Sequence, residues 1–261
     1  GVIFQDRGGV GRVLTYMPCR RMDGWPILGD EQGRVPDTMP QGGDEVRSTH
    51  LVTSDDFSND KLSLYWQWNH NPIDEAWSLT ERPGFLRLKT NKIVSNVYAA
   101  RNTISQRMEG PRCSASVTLD LRHMVDGDRC GLAAFNGHSG LLTIVRDGKS
   151  YKLVQSNTLV HLTDREKAIT GVDEDVVEQV GLKRCKKIQL RIDGDFTPDK
   201  DIATFYYKIG KGEWTPIGEP FKMQFDYRRL FMGTRYAIFN YATKQAGGYV
   251  DVDSFDYSRE E

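Results

Sequence analysis

The 261 residues carry 38% hydrophobic and 27% charged side chains, enough apolar material for a sizeable core, which excludes a disordered chain and a disulfide-stapled mini-protein. Lys and Arg number 35 against 36 Asp and Glu, a net charge of −1 with no basic block, so neither nucleic acid nor an anionic membrane surface is expected as a partner. No apolar run approaches the roughly 18 residues of a spanning helix, and the amino end Gly1-Val2-Ile3-Phe4-Gln5-Asp6-Arg7 lacks the basic and apolar regions of a signal peptide, so a soluble, untargeted chain is expected.

Glycine and proline punctuate the first forty-odd residues, and Met39-Pro40-Gln41-Gly42-Gly43-Asp44-Glu45 reads as a linker. The expected division is a segment 1–44 followed by a domain 45–261. Within the segment, Gly9-Val10-Gly11-Arg12-Val13-Leu14 begins like a dinucleotide fingerprint, but Leu14 stands where the third glycine belongs and no βαβ pattern surrounds it.

The next distinctive stretch is Trp66-Gln67-Trp68-Asn69-His70-Asn71-Pro72, followed by Trp77. Aromatic faces beside amide and imidazole donors suit a sugar-binding surface, because the C–H face of a pyranose stacks on a ring while its hydroxyls take hydrogen bonds. Trp66, Trp68, His70 and Trp77 are therefore candidate sugar contacts. The alternative is that Trp66 and Trp68, two residues apart, share one strand face as core anchors.

From residue 85 onward, short alternating runs recur between Gly, Pro, Asn and Asp. Phe85-Leu86-Arg87-Leu88-Lys89 and Ala115-Ser116-Val117-Thr118-Leu119-Asp120-Leu121 alternate, and further runs cover residues 131–135, 141–145, 151–154, 188–192, 203–209, 235–241 and 249–257. Ile188, Leu190 and Ile192 face one way while Gln189, Arg191 and Asp193 face the other, as a sheet with one wet face requires. Arg146-Asp147-Gly148-Lys149 and the 208–214 segment read as hairpins. Only 164–168 and 174–180 look helical, both as short decorations. The pattern predicts an all-β sandwich.

Other motifs are incomplete. Gly148-Lys149-Ser150 ends like a phosphate-binding loop, yet Thr143 replaces its first glycine. The five histidines show no two-histidine metal spacing, no Gly-x-Ser-x-Gly elbow appears, and Cys19, Cys113, Cys130 and Cys185 lie far apart and read as buried free thiols. Acidic pairs are frequent and mostly suit solvated turns. Asp55 and Asp56 with Asp251 and Asp253 form a candidate Ca²⁺ site, because the first and last strands of a sandwich often run side by side.

Taken together, Asp55-Asp56-Phe57-Ser58, the 66–72 stretch, Trp77-Ser78-Leu79-Thr80-Glu81-Arg82-Pro83-Gly84, Ala100-Arg101-Asn102-Thr103 with Gln106-Arg107, Gly127-Asp128-Arg129-Cys130-Gly131-Leu132-Ala133 and the 247–257 stretch resemble the carboxy-terminal β-sandwich of family 43 glycoside hydrolases of the β-xylosidase type. Phe4-Gln5-Asp6, Val10-Gly11-Arg12 and Asp23-Gly24-Trp25-Pro26 resemble the end of that family's five-bladed catalytic propeller. The resemblance implies a concanavalin A-like, laminin-G-like jelly roll behind a propeller that hydrolyses terminal xylose or arabinose with inversion, in a periplasmic or extracellular setting. Inversion needs a carboxylate base and a carboxylic acid about 6.5–9.5 Å apart. In the family these groups come from blades that precede residue 1 here, and Asp6 and Asp23 match structural positions, so no catalytic residue is expected in this chain. Arg12 matches the last-blade arginine that hydrogen-bonds the sugar in subsite −1, and Phe231 matches the aromatic that the sandwich inserts over the pocket mouth. The implied partners are the propeller and a xylo- or arabino-oligosaccharide. The alternative function is a free-standing carbohydrate-binding module for plant cell-wall glycans.

Overall fold

The computed structural model describes residues 1–36, 38, 39, 50–165, 167–183 and 185–260. The expected linker and the 44/45 boundary fall largely outside them. Two small ribbons open the chain, β1 (Val2–Asp6) with β2 (Arg12–Tyr16), and β3 (Cys19–Met22) with β4 (Trp25–Leu28). The sandwich strands follow as β5 (Gln67–Trp68), β6 (Trp77–Ser78), β7 (Leu86–Lys89), β8 (Ile104–Arg107), β9 (Arg112–Asp120), β10 (Asp128–Phe135), β11 (His138–Asp147), β12 (Ser150–Leu162), β13 (Ile169–Leu182), β14 (Lys187–Asp195), β15 (Ile202–Lys208), β16 (Thr215–Pro216), β17 (Phe221–Lys222), β18 (Arg235–Ala242) and β19 (Tyr249–Arg259).

They form two antiparallel sheets. One has the order β13-β12-β11-β10-β18-β8-β5 and the other β16-β15-β14-β9-β19-β7-β6, with β17 beside β15. The late strands β18 and β19 thus lie inside the sheets, β18 between β10 and β8, and β19 between β9 and β7. The core between the sheets is built from alternate positions such as Leu86, Leu88, Val117, Leu119, Leu132, Ile188, Leu190, Ile192, Ile238 and Phe255, all at 0 to 1% exposure. Each such aliphatic contributes about 1.5–3 kcal/mol through removal from water. The alternation read in 188–192 is therefore the core-facing register of β14.

The middle of the seven-stranded sheet, β11, β10 and β18, is buried on both faces. Leu132 and Ala134 enter the main core, whereas Ala133, Phe135, Ala237, Phe239 and Tyr241 form a second apolar layer with Val97, Tyr98, Leu141 and Val160, against which Leu230 and Met232 pack. That double burial makes β10 and β18 nearly continuous apolar runs rather than alternating ones.

Three expectations are corrected. Residues 174–180 are strand, not helix: they belong to β13, which pairs along β12 with register shifts at Gln155/Ser156 and His161/Leu162. Most of β13 is exposed on both faces, so no clean period of two marks it. The 164–168 stretch is the turn joining the two strands, residue 166 lying outside the described set. All four cysteines are free, but Cys19 is exposed, because its ribbon has no covering layer among the described residues. The hairpin between β11 and β12 turns on Gly148 and Lys149, and the positive φ, 55°, is at Gly148.

Candidate functional site

The glycines near the amino end have a use unrelated to nucleotide binding. Gly8–Val10 form a single 3₁₀ turn between β1 and β2, with φ 54° at Gly8 and 91° at Gly11. This turn lies against the sandwich: Thr234 N–H donates to the Gly9 carbonyl at 2.8 Å, and Gly9 N–H donates to Asp201 Oδ1 at 3.0 Å. A Cβ on Gly233 would lie 1.9 Å from the Val10 carbonyl oxygen, and one on Gly11 would lie 2.9 Å from the Gly233 backbone. Two main chains cross here at a separation that only glycine at both positions permits.

The crossing sets Arg12, the first residue of β2, beside the loop that precedes β18. Arg12 Nε donates to Asp6 Oδ1 at 2.8 Å across the ribbon, where the two residues are register partners. The guanidinium carbon lies 4.2 Å from the Phe4 ring centroid, 4.8 Å from Phe231, 5.5 Å from Phe225 and 5.8 Å from Tyr227. Phe231 is 66% exposed rather than packed in the core, and its ring meets Phe225 edge-on at 5.8 Å. The neighbours of Phe231 hold it outward: Leu230 and Met232 sink into the second apolar layer. Buried Asn136 donates from Nδ2 to the carbonyls of Gln224 at 3.3 Å and Met232 at 2.9 Å, and Arg229 Nε donates to the Val160 carbonyl at 3.0 Å. The outcome is a rigid planar donor set ringed by aromatic faces, with Nη hydrogens bonded to nothing among the described residues. A guanidinium of this kind is suited to hydroxyl or carboxylate oxygens, and the rings to C–H faces.

The family resemblance implies Arg12 and Phe231 as substrate-binding candidates, and the structure brings the two side by side; Phe4, Phe225, Tyr227 and the anchoring Asn136 carry no such expectation. The aromatic spacing within 225–231 was the available signal, but a loop has no periodicity against which to read it.

The tryptophans serve differently. Trp66 is 7% exposed, stacks on Phe57 at 5.8 Å, meets Phe255 at 5.0 Å and donates from Nε1 to Asp55 Oδ2 at 2.8 Å. As a sugar contact it is corrected: its ring is enclosed and cannot stack on a ligand. Trp68 and Trp77 lie 5.2 Å apart and pack, half-buried, against the main core, while the exposed His70 holds the Tyr98 carbonyl through Nε2 at 2.7 Å. The four residues do not present a common aromatic face.

The four carboxylates also have separate tasks. Asp251 and Asp120 are direct cross-strand partners whose like charges would repel. Arg82 Nη1 bridges them at 2.9 Å to each, and Arg87 grips Asp251 at 2.7 and 3.0 Å. Burial works against ionisation of Asp120, but hydrogen bonds from Arg122 and Arg82 outweigh it and hold the carboxyl below the usual range. Asp253 pairs with Lys187, Asp55 takes the Trp66 and Phe57 N–H groups, and Asp56 caps Ser58 N–H. Among the described residues no group of three or more His, Cys, Asp or Glu is placed to hold a metal. The four carboxylates do not gather around one Ca²⁺ position: Asp251 is neutralised by Arg82 and Arg87, Asp253 by Lys187, and Asp55 and Asp56 accept N–H groups.

A family model described as the β-xylosidase C-terminal concanavalin A-like domain matches residues 54–258. A β-xylosidase of Formosa agariphila is 28% identical over 277 residues, spanning 95% of this chain and 43% of that protein. A non-reducing end α-L-arabinofuranosidase of Bacteroides ovatus is 31% identical over 157 residues, or 57% of this chain and 29% of that one. Among solved structures, a bifunctional GH43-CE protein of Bacteroides eggerthii superposes with a TM-score of 0.86 at 35% identity, covering 100% of this chain and 32% of its own. A GH43 glycoside hydrolase engineered to display endo-xylanase and exo-arabinofuranosidase activity gives 0.84 at 30% identity, covering 100% and 51%. The chain spans less than half the length of these curated relatives.

Proposed function

The chain belongs to the family of β-xylosidase C-terminal concanavalin A-like domains, and from that premise we propose that it is the accessory β-sandwich, with the closing piece of the catalytic propeller, of a family 43 glycoside hydrolase acting on xylan or arabinoxylan oligosaccharides. The sandwich braces the propeller and completes one wall of its substrate pocket. The catalytic acid and base come from propeller blades outside residues 1–261. Asp6 is engaged by Arg12 at 2.8 Å and serves to orient it.

The observation that carries this reading is the seating of Arg12 against Phe231, 4.8 Å from guanidinium carbon to ring centroid, by residues from opposite ends of the chain. Arg12 directs donors toward the ring oxygens and hydroxyls of the terminal sugar, and Phe231 closes the slot beside it. A second observation agrees: Val2, Phe4, Leu14, Tyr16 and Trp25 are 52 to 73% exposed on the two ribbons, more apolar surface than a small segment leaves in water without a partner. Neighbouring blades would cover it.

The test is hydrolysis of aryl β-xylosides and α-L-arabinofuranosides. The 261-residue chain is expected to be inactive, and the natural gene product active, with kcat/KM falling about 100-fold or more in Arg12→Ala, the loss expected for a donor that touches the reacting sugar. Turnover by the isolated chain that a substitution within it abolishes, or a natural product indifferent to Arg12→Ala and Phe231→Ala, overturns the proposal.

A further inference from the structure

A cavity lies on the same outer face of the seven-stranded sheet as the Phe231 loop. Its volume is 270 Å³, just below the roughly 300–1,000 Å³ of ordinary small-molecule pockets, which leaves room for about one sugar ring. The floor is Val97, Leu141, Thr158 and Tyr241, each no more than 5% exposed. Asn96 and Glu174 stand on its polar rim. We propose that this cavity is a second sugar-binding site that takes one neutral pentose unit of a plant glycan.

Three features point to that class of ligand. First, Val97, Leu141 and Tyr241 line the floor beside Thr158, so a sugar ring seated there meets carbon and polar atoms together. Second, the Glu174 carboxylate is held before any ligand arrives, by the Ser156 hydroxyl at 3.0 Å on Oε1 and by Arg129 Nη1 at 3.4 Å on Oε2. Each oxygen keeps a lone pair for a hydroxyl, and two adjacent oxygens match vicinal hydroxyls. Third, Arg129 balances the carboxylate, so the rim offers neither an excess cation to a phosphate or uronate nor an unpaired anion to a metal. Position adds to chemistry: β18 runs from Arg235, beside the Phe231 loop, to Tyr241 in the cavity floor, about 20 Å at ~3.3 Å per residue. A chain of a few sugar units held at Phe231 would reach the cavity. The choice of a pentose rests on the proposed function; the cavity and its polarity do not.

The test is a ¹⁵N chemical-shift titration of the 261-residue chain with D-xylose, L-arabinose and xylotriose. Saturable shifts are expected at Asn96, Thr158 and Gly171, with a dissociation constant on the order of 1 mM, typical of a single small contact. Glu174→Gln should weaken binding at least tenfold and Thr170→Trp, which fills the mouth, should abolish it, both with the melting temperature unchanged. Absence of saturable shifts in the wild type overturns the inference, as does binding that survives both substitutions. Hydrolysis by the natural gene product reads the proposed function separately: dependence on Arg12 without binding here sinks only the second site.

Discussion

Asp128 offers the sharpest test of the energetics. It opens β10 at 0% exposure, accepts Val125 N–H at 2.8 Å through Oδ2, and leaves Oδ1 without a partner among the described residues. Gly248 lies so close that a Cβ there would come within 1.8 Å of Oδ2, so water has no room to enter from that side. Burial pushes the carboxyl up from 3.8 to about 6, against the opposing hydrogen bond of Val125 N–H. A folded pKa above the unfolded one means that stability is fully present below about pH 3.8 and is lost as the pH rises through about 6. The gap from 3.8 to about 6, at about 1.4 kcal/mol per pH unit, costs the folded state about 3 kcal/mol at pH 7.5. Asp128→Asn keeps the acceptor for Val125 and removes the charge. It should unfold in urea with a stability gain of up to about 3 kcal/mol at pH 7.5 and less than about 1 kcal/mol at pH 4, the gain appearing between those values. A variant that is no more stable than wild type at pH 7.5, or whose difference from wild type is the same at both pH values, would refute the argument from burial.

Trp66→Ala should cost about 3–5 kcal/mol, the loss expected for a large enclosed aromatic, and Trp66→Phe clearly less, both read from urea unfolding; a cost below about 1 kcal/mol for Trp66→Ala would mean that the ring is not a core anchor. Gly233→Ala forces a methyl group into the Val10 carbonyl and should release the ribbons from the sandwich, seen as faster proteolytic cleavage within residues 1–36 while the rest resists; unchanged cleavage contradicts the crossing. Since Arg82 and Arg87 already serve Asp251, neither millimolar calcium nor a chelator should shift the melting temperature. A calcium-dependent rise would show that a site had been overlooked.

Legibility in the sequence followed exposure. β14 was plain because water on one face and core on the other impose a period of two on 188–192. β13 reads as helix because an edge strand wet on both faces carries no such imprint, and its acidic run has the look of an exposed helix. The Trp-x-Trp spacing at 66–68 fitted either a platform or a core, and only the Asp55 and Phe255 contacts of Trp66 decide between them. Arg12 and Phe231 were individually nameable from family resemblance. Their meeting was not, because it depends on glycine crossing glycine between segments at opposite ends of the chain, and on Asn136 fixing a loop to which it is not adjacent in sequence.

The interior placement of β18 and β19 governs how the chain can be made. While a ribosome has delivered residues only through β17, β8 with β5 and β7 with β6 have no strand to join them to the rest of either sheet. The seam down the middle of both sheets closes only when the final two strands arrive, and every pairing that closes it is remote in sequence. Folding of the sandwich is therefore late and slow by design of the topology, with open strand edges and core residues such as Leu86 and Ile104 in solvent until β18 and β19 have been made. Nascent chains stalled before β18 are the species on which holdase chaperones should act.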